Sequence, residues 1–345
     1  MTNQRPSLHT LDAMNYSSGP KSASRTEDEH VHQRHTQDVY AQSCAITAWQ
    51  QLYDQVRPGH FRGELTELLF DGVQFCHEYT NLALRQSCMV WPQAFWLGIP
   101  VARGEIGAIG AQPIDQGCVA LSPGGREFEL STPNEYAILG VVISYDALLK
   151  HTGMLAEQAR FFQLLREPAA LAVDPDRKAA LCAFIYQALR HARRDPQGMR
   201  GVGKVLNDNL LTAMIALLES ACPPPSRATE RRTGYRRLVS RAREYALSRT
   251  SEPVTVPDLC RELFVSRRTL QNAFCEVLGV GPNAWLKMIR LNAVRRELIS
   301  PLSRCDTVKD AAMQWGFWHL SQFANDYQRL FNEKPSATLR MRLRA

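Results

Sequence analysis

The sequence predicts an α+β protein of two domains, the first rich in β-strands and the second all helical. Near the C-terminus a block of about fifty residues occurs twice, since Thr255–Cys260 is echoed by Thr307–Ala312; a repeat of this length is a supersecondary unit used twice. Between residues 45 and 144, short apolar runs alternate with turn residues. That alternation is typical of an all-β region.

The chain has 345 residues, which is enough for two domains with separate cores. We expect a disordered polar tail over residues 1–30 and a ligand-sensing domain over residues 31–222. The latter divides into a β-rich part, 45–144, and a helical part, 145–222. Residues 223–233, with three consecutive prolines, are the expected linker to a C-terminal domain over residues 234–345.

A hairpin is the clearest feature of the β-rich part. Asp71-Gly72 lies between the apolar runs Leu65–Phe70 and Val73–Tyr79, and Asp-Gly is a strong hairpin signal. Many short strands at this spacing favour a sandwich or a barrel, and we expect a cupin-like β-barrel that could enclose one small ligand. Further strands are predicted at Ala83–Val90, Phe95–Ile99, Cys118–Leu121, Glu127–Leu130 and Ala137–Ile143.

Helical periodicity follows the strands. Asp174 and Pro175 combine a capping side chain with a first-turn proline, and they predict a helix to about Arg193. A second helix is predicted from about Gly203 to Glu219. Its apolar face is either intramolecular core or a contact with a second copy, and the sequence leaves both open. That face comprises Leu206, Leu210, Ala213 and Leu217.

Positive charge is concentrated in the last third of the chain. Residues 227–345 contain 22 Lys and Arg against 11 Asp and Glu, a net charge of +11, whereas the whole chain carries +7 and the preceding residues therefore −4. An excess that coincides with the repeat indicates a surface that faces phosphates.

Other features exclude several classes of protein. No apolar run approaches the ~20 residues of a membrane span, and the N-terminus lacks a signal-peptide core, so we expect a cytoplasmic protein. Nine cysteines without a Cys-x-x-Cys pair fit reduced thiols. The histidines His30, His32 and His35 lack a glutamate at metal-site spacing, and no nucleophile has a recognisable base. We therefore expect no metal site, no catalytic residue and no enzyme.

The first copy of the repeat has the pattern of a helix-turn-helix. Pro257 stands in the first turn of a short helix, and Ser266 is the expected cap of a second helix that ends near Leu278. Leu270 and Phe274 recur at helical spacing and should face the core. Such a pair of helices presents its second helix to a major groove of DNA.

The second copy repeats this plan after a one-residue insertion. Its helices are predicted at Val308–Gln314 and Leu320–Leu330, with the turn at Trp315–Phe317. Between the copies, Ala284–Leu298 is predicted as one continuous, buried helix. A rigid helix there would hold the two recognition helices one DNA turn apart, ~34 Å.

These residues resemble the double helix-turn-helix domain of the AraC/XylS family of transcription regulators. The family pattern has glycine where Asn332 stands, and Asn tolerates the left-handed conformation better than other non-glycine residues. The resemblance implies a transcriptional activator with promoter DNA and RNA polymerase as partners, and commonly a homodimer. It is carried by Ser266–Gly279, Pro282, Leu286, Arg290, Ala293, Gly316-Phe317, Phe323, Tyr327 and Pro335.

Within that family the chain resembles regulators of ethanolamine utilisation genes in enteric bacteria. That resemblance implies two effectors, ethanolamine and adenosylcobalamin. The Asp-x-His-x-x-Gly motif that replaces the lower base of cobalamin is absent from the sequence. The alternatives are an AraC-type regulator of another small ligand and a cupin-type enzyme with an appended DNA-binding module. The resemblance is carried by Val31–Tyr40, Ala48–Asp54, Ala83–Cys88, Pro282–Lys287 and Val308–His319.

Outward polar residues of the repeat are the predicted DNA contacts. Arginine pairs well with guanine and Gln or Asn with adenine, so Arg268 and Gln271 are expected to read bases. The second recognition helix is less basic and could read DNA shape, or a thymine methyl through Leu320; Lys309 and Arg329 are expected phosphate contacts. The full set is Arg267, Arg268, Gln271, Asn272, Lys309, His319, Leu320, Ser321, Gln322, Asn325 and Arg329.

The ligand pocket is less well determined. Ethanolamine is a small cation with a hydroxyl, so its site should offer a carboxylate and an aromatic face. The sequence does not choose among Glu64, Glu67, Glu78, Glu105, Glu127 and Glu129, or among Tyr79, Trp91, Phe95 and Trp96. The favoured set is Glu64, Glu67, Glu78, Trp91, Phe95 and Trp96.

Overall fold

Helices and β-sheets are mixed in this fold, which is seen in a computed structural model. The expected tail at 1–30, Asp71 of the hairpin and linker residues 224–229 lie outside the described residues. The model describes residues 31–70, 72–101, 104–152, 163, 166–195, 199–223, 230–249 and 253–343.

The described residues form two compact units. The sheet-rich unit contains those of 13–53 and 62–225, and the helical unit combines Asp54–Phe61 with those of 226–345. A short segment from the first fifth of the sequence therefore belongs with the C-terminal helices, although the expected domain boundaries place it with the strands. No helix in the described part of the chain is long and apolar enough to cross a membrane.

Antiparallel pairing organises the sheet-rich unit. The predicted hairpin is confirmed, because β3 and β4 pair with Phe70 opposite Val73. The other strands predicted from apolar runs also form. The strands are β1 Val31–Thr36, β2 Gln50–Gln55, β3 Gly63–Phe70, β4 Val73–Thr80, β5 Leu84–Met89, β6 Ala94–Pro100, β7 Gly107–Ile109, β8 Gln112–Ile114, β9 Cys118–Pro123, β10 Phe128–Thr132, β11 Tyr136–Ser144 and β12 Ala169–Ala172.

The expected closed barrel is wrong for the described residues. A seven-stranded sheet has the order β1-β3-β4-β11-β6-β9-β12, and a five-stranded sheet has the order β2-β5-β10-β7-β8. Each sheet keeps two edges, at β1 and β12 and at β2 and β8. Apolar runs mark where strands lie, but closure depends on pairing between distant strands, which those runs do not encode. A cupin-like fold stays a prediction.

One face of the larger sheet is covered by helices. Phe75, Leu97 and Val141 from that face share a core with Leu181 and Leu210 of the helices. The predicted apolar face of the helix after residue 203 packs into this core and is therefore intramolecular. The helices of this unit are α1 Val39–Ser43, α2 Tyr145–Thr152, α3 Pro175–Arg194 and α4 Met199–Glu219.

The helical unit has two clusters of buried side chains that share one long helix. Leu286 and Ile289 of this helix belong to the first cluster, and Val294 and Leu298 belong to the second. The predicted strut is thus confirmed as buried. The helices are α5 Glu230–Ser248, α6 Val256–Leu263, α7 Arg267–Leu278, α8 Pro282–Ile299 (the strut), α9 Val308–Gln314, α10 Leu320–Phe331 and α11 Pro335–Arg342.

Candidate functional site

The first helix-turn-helix is held by two caps and a tight turn. Thr255 and Asp258 form a reciprocal capping box at the start of α6, which satisfies backbone donors that the helix leaves free. In the turn, Phe264 adopts a left-handed conformation with φ 54°, and Val265 N donates to Cys260 O at 3.1 Å. Ser266 Oγ accepts from Thr269 N at 3.0 Å and begins the recognition helix α7, as the sequence predicts.

The second helix-turn-helix repeats the geometry. Thr307 Oγ1 accepts from Asp310 N at 3.0 Å at the start of α9. In its turn, Phe317 N donates to Ala312 O at 2.9 Å, and Gly316 takes the left-handed conformation with φ 76°. Phe264 and Gly316 therefore hold the same place in the two turns. The predicted repeat is confirmed at the level of single hydrogen bonds.

The strut joins both recognition helices to one element. Trp285 on α8 packs edge-on against Phe274 of α7, with ring centroids 4.9 Å apart. Lys287 Nζ, also on α8, lies 3.0 Å from Asp326 Oδ1 of α10. Because α7 and α10 each contact α8 directly, the orientation of both recognition helices depends on this one helix.

All eleven predicted DNA contacts are exposed. In the described part of the chain, Arg267 and Arg268 have no acidic partner, so their charges are available to phosphates or bases. Gln271 Nε2 lies 3.2 Å from Cys275 Sγ, and Arg329 Nη1 lies 3.9 Å from Asp326 Oδ1. Exposure is necessary for DNA contact, but the individual roles stay predictions.

Two exposed aromatic residues beside the recognition helices were not predicted as functional. Phe264 is 92% exposed and Trp318 is 68% exposed. Single exposed apolar side chains are common on protein surfaces, so exposure alone assigns neither residue a role. A signal for Phe264 was present in the sequence, because the matching position of the second copy is glycine.

A second polar site lies on the other face of the larger sheet. Glu67 on β3 lies opposite Cys76 on β4, and Glu78 is two residues further along the same strand. Side chains two residues apart share one face of a strand, so both carboxylates are on the face away from α3 and α4. They are 0% and 5% exposed, respectively.

Neutral donors satisfy both carboxylates. Glu78 Oε1 accepts from Gln42 Nε2 at 2.8 Å and from Tyr53 OH at 3.1 Å. Glu67 accepts from Thr47 N at 3.0 Å, from Thr47 Oγ1 at 2.8 Å and from Gln74 Nε2. Within the described residues, neither carboxylate is paired with a Lys, Arg or His side chain.

The environment of this site favours neutral forms. Burial raises the pKa of Glu78 to about 6, although the hydrogen bonds from Gln42 and Tyr53 act in the opposite direction. Burial and the neighbouring Glu78 raise the pKa of the Tyr53 phenol. Burial also raises the pKa of the Cys76 thiol. A carboxylate held in this way gains from a cation, since opposite charge stabilises its ionised form.

An aromatic cluster adjoins the carboxylates. Trp96 on β6 stacks on Phe128 of the smaller sheet at a centroid distance of 4.7 Å, and it meets Trp49 edge-on at 6.0 Å. Its Nε1 is buried without a hydrogen-bond partner in the described part of the chain. A Cβ built at Gly140 would lie 3.2 Å from that atom and 3.0 Å from Cys76 Sγ. Trp96 Nε1 therefore lies beside the strand positions that flank the two glutamates.

The structure thus divides the predicted ligand residues. Glu67, Glu78 and Trp96 share one buried face. Glu64 is exposed, and Phe95 packs in the core under the helices, because residues adjacent in a strand point to opposite faces. Trp91 is buried after the end of β5. Among the described residues, no three His, Cys, Asp or Glu side chains are grouped as metal ligands.

Comparison with known proteins finds sequence matches to the helical unit. Residues 259–341 match a family model described as a helix-turn-helix domain. The probable thc operon regulatory protein of Rhodococcus erythropolis is 35% identical over 30% of this chain and 31% of its own length. The XylDLEGF operon transcriptional activator of Pseudomonas putida is 31% identical over 25% of this chain and 27% of its own length.

A solved structure from Rhodopseudomonas palustris CGA009, described as a probable AraC family transcriptional regulator, has 33% sequence identity. The match covers 30% of this chain and 96% of that chain, with a TM-score of 0.29. The similarity is therefore one of sequence. Over the curated relatives, the matched segment spans about a third of their length or less.

Two capped helix-turn-helix units on one buried strut define a double helix-turn-helix protein, a class whose second helices are shaped for DNA grooves. The sequence similarity supplies the family. Over residues 259–341 the chain carries a helix-turn-helix domain of the AraC/XylS type, similar in sequence to those of transcriptional regulators. The curated relatives matched over this segment are described as an operon regulatory protein and a transcriptional activator.

Proposed function

We propose that the protein is a sequence-specific transcriptional activator that binds double-stranded promoter DNA through both recognition helices and acts with RNA polymerase. One observation carries the proposal: α7 and α10 contact the same buried strut and expose nine of the eleven predicted contact residues, and the other two, Lys309 and His319, are exposed on α9 and just before α10. The net charge of +11 after residue 226 supplies the phosphate attraction that such binding requires.

Selection of bound sequences from random duplexes, followed by affinity measurement at fixed salt, tests the DNA-binding proposal. We expect a footprint of about two helical turns per subunit, since each recognition helix enters one of two successive major grooves. The selected site should bind ~10³-fold or more tightly than random DNA. Equal affinity for all duplexes would instead indicate an architectural DNA binder.

We further propose that the regulated genes serve ethanolamine utilisation and that the effectors are ethanolamine and adenosylcobalamin. The sequence resemblance is the first support. The second is the buried pair Glu67 and Glu78 beside Trp96, which matches the carboxylate and aromatic face expected for a small organic cation. In this proposal the ethanolamine ammonium replaces Gln42 Nε2 as the partner of Glu78, and Trp96 supplies the aromatic face.

No residue is assigned to adenosylcobalamin. The sequence lacks the Asp-x-His-x-x-Gly motif, so we expect cobalamin to bind by other contacts, jointly with ethanolamine. Footprinting upstream of ethanolamine utilisation genes would be run with each effector, with both and with neither. Strengthened binding, or polymerase recruitment, that requires both effectors supports the proposal, and a footprint indifferent to both contradicts it.

The role of Glu78 can be tested apart from DNA. Calorimetric titration of the full chain with ethanolamine should show binding that Glu78→Gln weakens at least about tenfold, because a buried amide cannot balance an ammonium charge. Glu64→Gln, on an exposed glutamate of the neighbouring strand, is the matched control and should bind as the wild type does. Equal binding by all three proteins would remove Glu78 from the site.

The pH dependence of stability gives an independent check. A carboxyl whose pKa is raised in the folded state stabilises the protein below its unfolded pKa, and this contribution is lost as the pH rises through the folded pKa. For Glu78 the loss falls between about pH 4.5 and about 6 and amounts to about 2 kcal/mol. The difference in unfolding free energy between wild type and Glu78→Gln should change by that amount across this window. A difference that stays constant across this window would contradict the raised pKa of Glu78.

A homodimer is also predicted from the resemblance. The apolar face of α4 is used inside the unit, so a dimer would need a different surface. Sedimentation equilibrium of the full chain, with and without DNA, decides between one and two copies.

A further inference from the structure

The segment Asp54–Phe61, here called the brace, carries a buried carboxylate into the helical unit. Asp54 is 1% exposed. Its Oδ1 lies 2.6 Å from Arg296 Nη1 on α8, and its Oδ2 lies 3.4 Å from Arg243 Nη2 on α5. A buried charge is stable only when it is paired. Removal of this one carboxylate would therefore leave two guanidinium groups without that partner.

The residue after Asp54 makes a second set of contacts. Gln55 N donates to Asn292 Oδ1 at 2.8 Å, and Asn292 Nδ2 donates to Gln55 O at 3.0 Å. Asn292 is on α8, and both residues are buried. The strut therefore holds the backbone of the brace in one register through a side-chain amide, in the way that a neighbouring strand would.

The brace also reaches the second recognition helix. Gln55 Nε2 donates to Leu330 O at 2.9 Å, and Gly59 N donates to the same carbonyl at 3.0 Å. Leu330 lies in the last turn of α10, where helix carbonyls lack intrahelical partners. The brace thus bonds to α5, α8 and α10 together. It leaves the exposed residues at the start of α10 uncovered, so it positions the recognition helix and does not mask it.

We propose that the brace is a positioning element of the helical unit and sets the spacing of the two recognition helices. This inference rests on the proposed DNA-binding function. The docked brace holds α10 on α8 and favours binding to a site read by both recognition helices. An undocked brace leaves each helix-turn-helix intact but loosens their relative placement.

The first test compares full-length Asp54→Asn with the wild type. Affinity is measured for the selected two-unit site and for a shorter duplex that retains only the half read by α7. We expect binding to the two-unit site to weaken about tenfold, within the usual range of coupling between sites, whereas half-site affinity is unchanged. Asp146→Asn is the matched control, because Asp146 pairs with Lys150 on an exposed helix face and touches neither element.

Hydrogen exchange measures directly whether the backbone amides of the brace are hydrogen-bonded. The amides of Gln55 and Gly59 should be protected in the wild type and should exchange faster in Asp54→Asn, with the amides of α7 unchanged. Unchanged protection of both amides in Asp54→Asn would overturn the positioning role.

Two further outcomes separate this inference from the proposed function. If the wild type shows no site preference, the DNA-binding proposal fails. If the wild type is specific and Asp54→Asn binds the two-unit site equally well, the brace has no positioning role. Should Asp54→Asn fail to fold, Gln55→Met takes its place, because it removes the side-chain bond to Leu330 and leaves the ion pairs. Unchanged affinity and exchange in Gln55→Met would overturn the inference.

Discussion

In the first helix-turn-helix the left-handed position of the turn is Phe264, with φ 54°, and in the second it is Gly316, with φ 76°. A left-handed conformation is strained for a bulky side chain and free for glycine. The two turns share one hydrogen bond, from Val265 N to Cys260 O and from Phe317 N to Ala312 O. The two turns therefore share one backbone conformation. The first helix-turn-helix has the unfavourable Phe264 at the left-handed position, where the second has glycine.

The two recognition helices also differ in their caps and in the residues of their first turns. Helix α7 has a side-chain cap, Ser266, and exposes Arg267 and Arg268 in its first turn. Helix α10 has no side-chain cap and begins beside exposed Trp318 and Leu320. From this difference we predict that the first helix-turn-helix reads DNA by charge and hydrogen bonds, and that the second reads it through apolar contact and shape.

The largest expected effect tests whether the strut is shared. Trp285→Ala should lower the free energy of unfolding of the helical unit by about 3–5 kcal/mol, since it leaves a cavity beside Phe274 in the first cluster. Phe323→Ala does the same in the second cluster. If α8 couples the two helix-turn-helix motifs, the helical unit of either variant should still unfold in a single transition in denaturant.

Hydrogen exchange of the same variants provides the control. In Trp285→Ala the amides of α10 should lose protection together with those of α7. If only α7 loses protection, the two helix-turn-helix motifs unfold independently and the strut does not couple them.

The next effect separates the two modes of reading. Arg268→Ala should cost about 1–3 kcal/mol at the selected site and relax one base position. Leu320→Ala should cost less and relax a position occupied by thymine, with little change in salt dependence. Arg193→Ala, an exposed arginine on α3, should leave affinity unchanged. If Arg268→Ala weakens binding equally on all sequences, Arg268 contacts phosphate and not a base.

The smallest expected effect is an increase in the stability of the helical unit. Phe264→Gly should stabilise the helical unit by up to about 1 kcal/mol, because it relieves the left-handed strain. Gly316→Ala, the matched change in the second unit, should destabilise it, since a Cβ there collides with Pro253. If Phe264 meets DNA, Phe264→Gly should be more stable yet bind less tightly. Unchanged stability would show that the turn carries no strain.

Much of the helical unit was predictable because its signals are local. Thr255, Ser266 and Thr307 act as caps in the structure, and each can be recognised from a few adjacent residues. Helix α9 has the predicted bounds, and α10 ends one residue later than expected. Helical periodicity also identified the buried strut. Exposure of the predicted DNA contacts follows from the same period, whereas their roles depend on DNA.

The sheet-rich unit shows the limit of such reasoning. Apolar runs located β3, β4, β5, β6, β9, β10 and β11 within a few residues. They missed β1 and β2, whose sequences VHQRHT and QQLYDQ have no apolar run, and the short strands β7, β8 and β12. Division into two sheets is set by pairing between distant strands. A run of six residues carries no record of its partner.

The sequence by itself determined the double helix-turn-helix, because capping and helical period act over a few residues. Only the tertiary structure decided that Glu67, Glu78 and Trp96 share a buried face whereas Glu64 and Phe95 do not. It also decided that Asp54, in a β-strand, completes a set of ion pairs with Arg243 and Arg296 some two hundred residues away. The physical reason is common to both cases. Burial and charge pairing depend on which distant segments meet, and chain-distant contacts leave no local pattern.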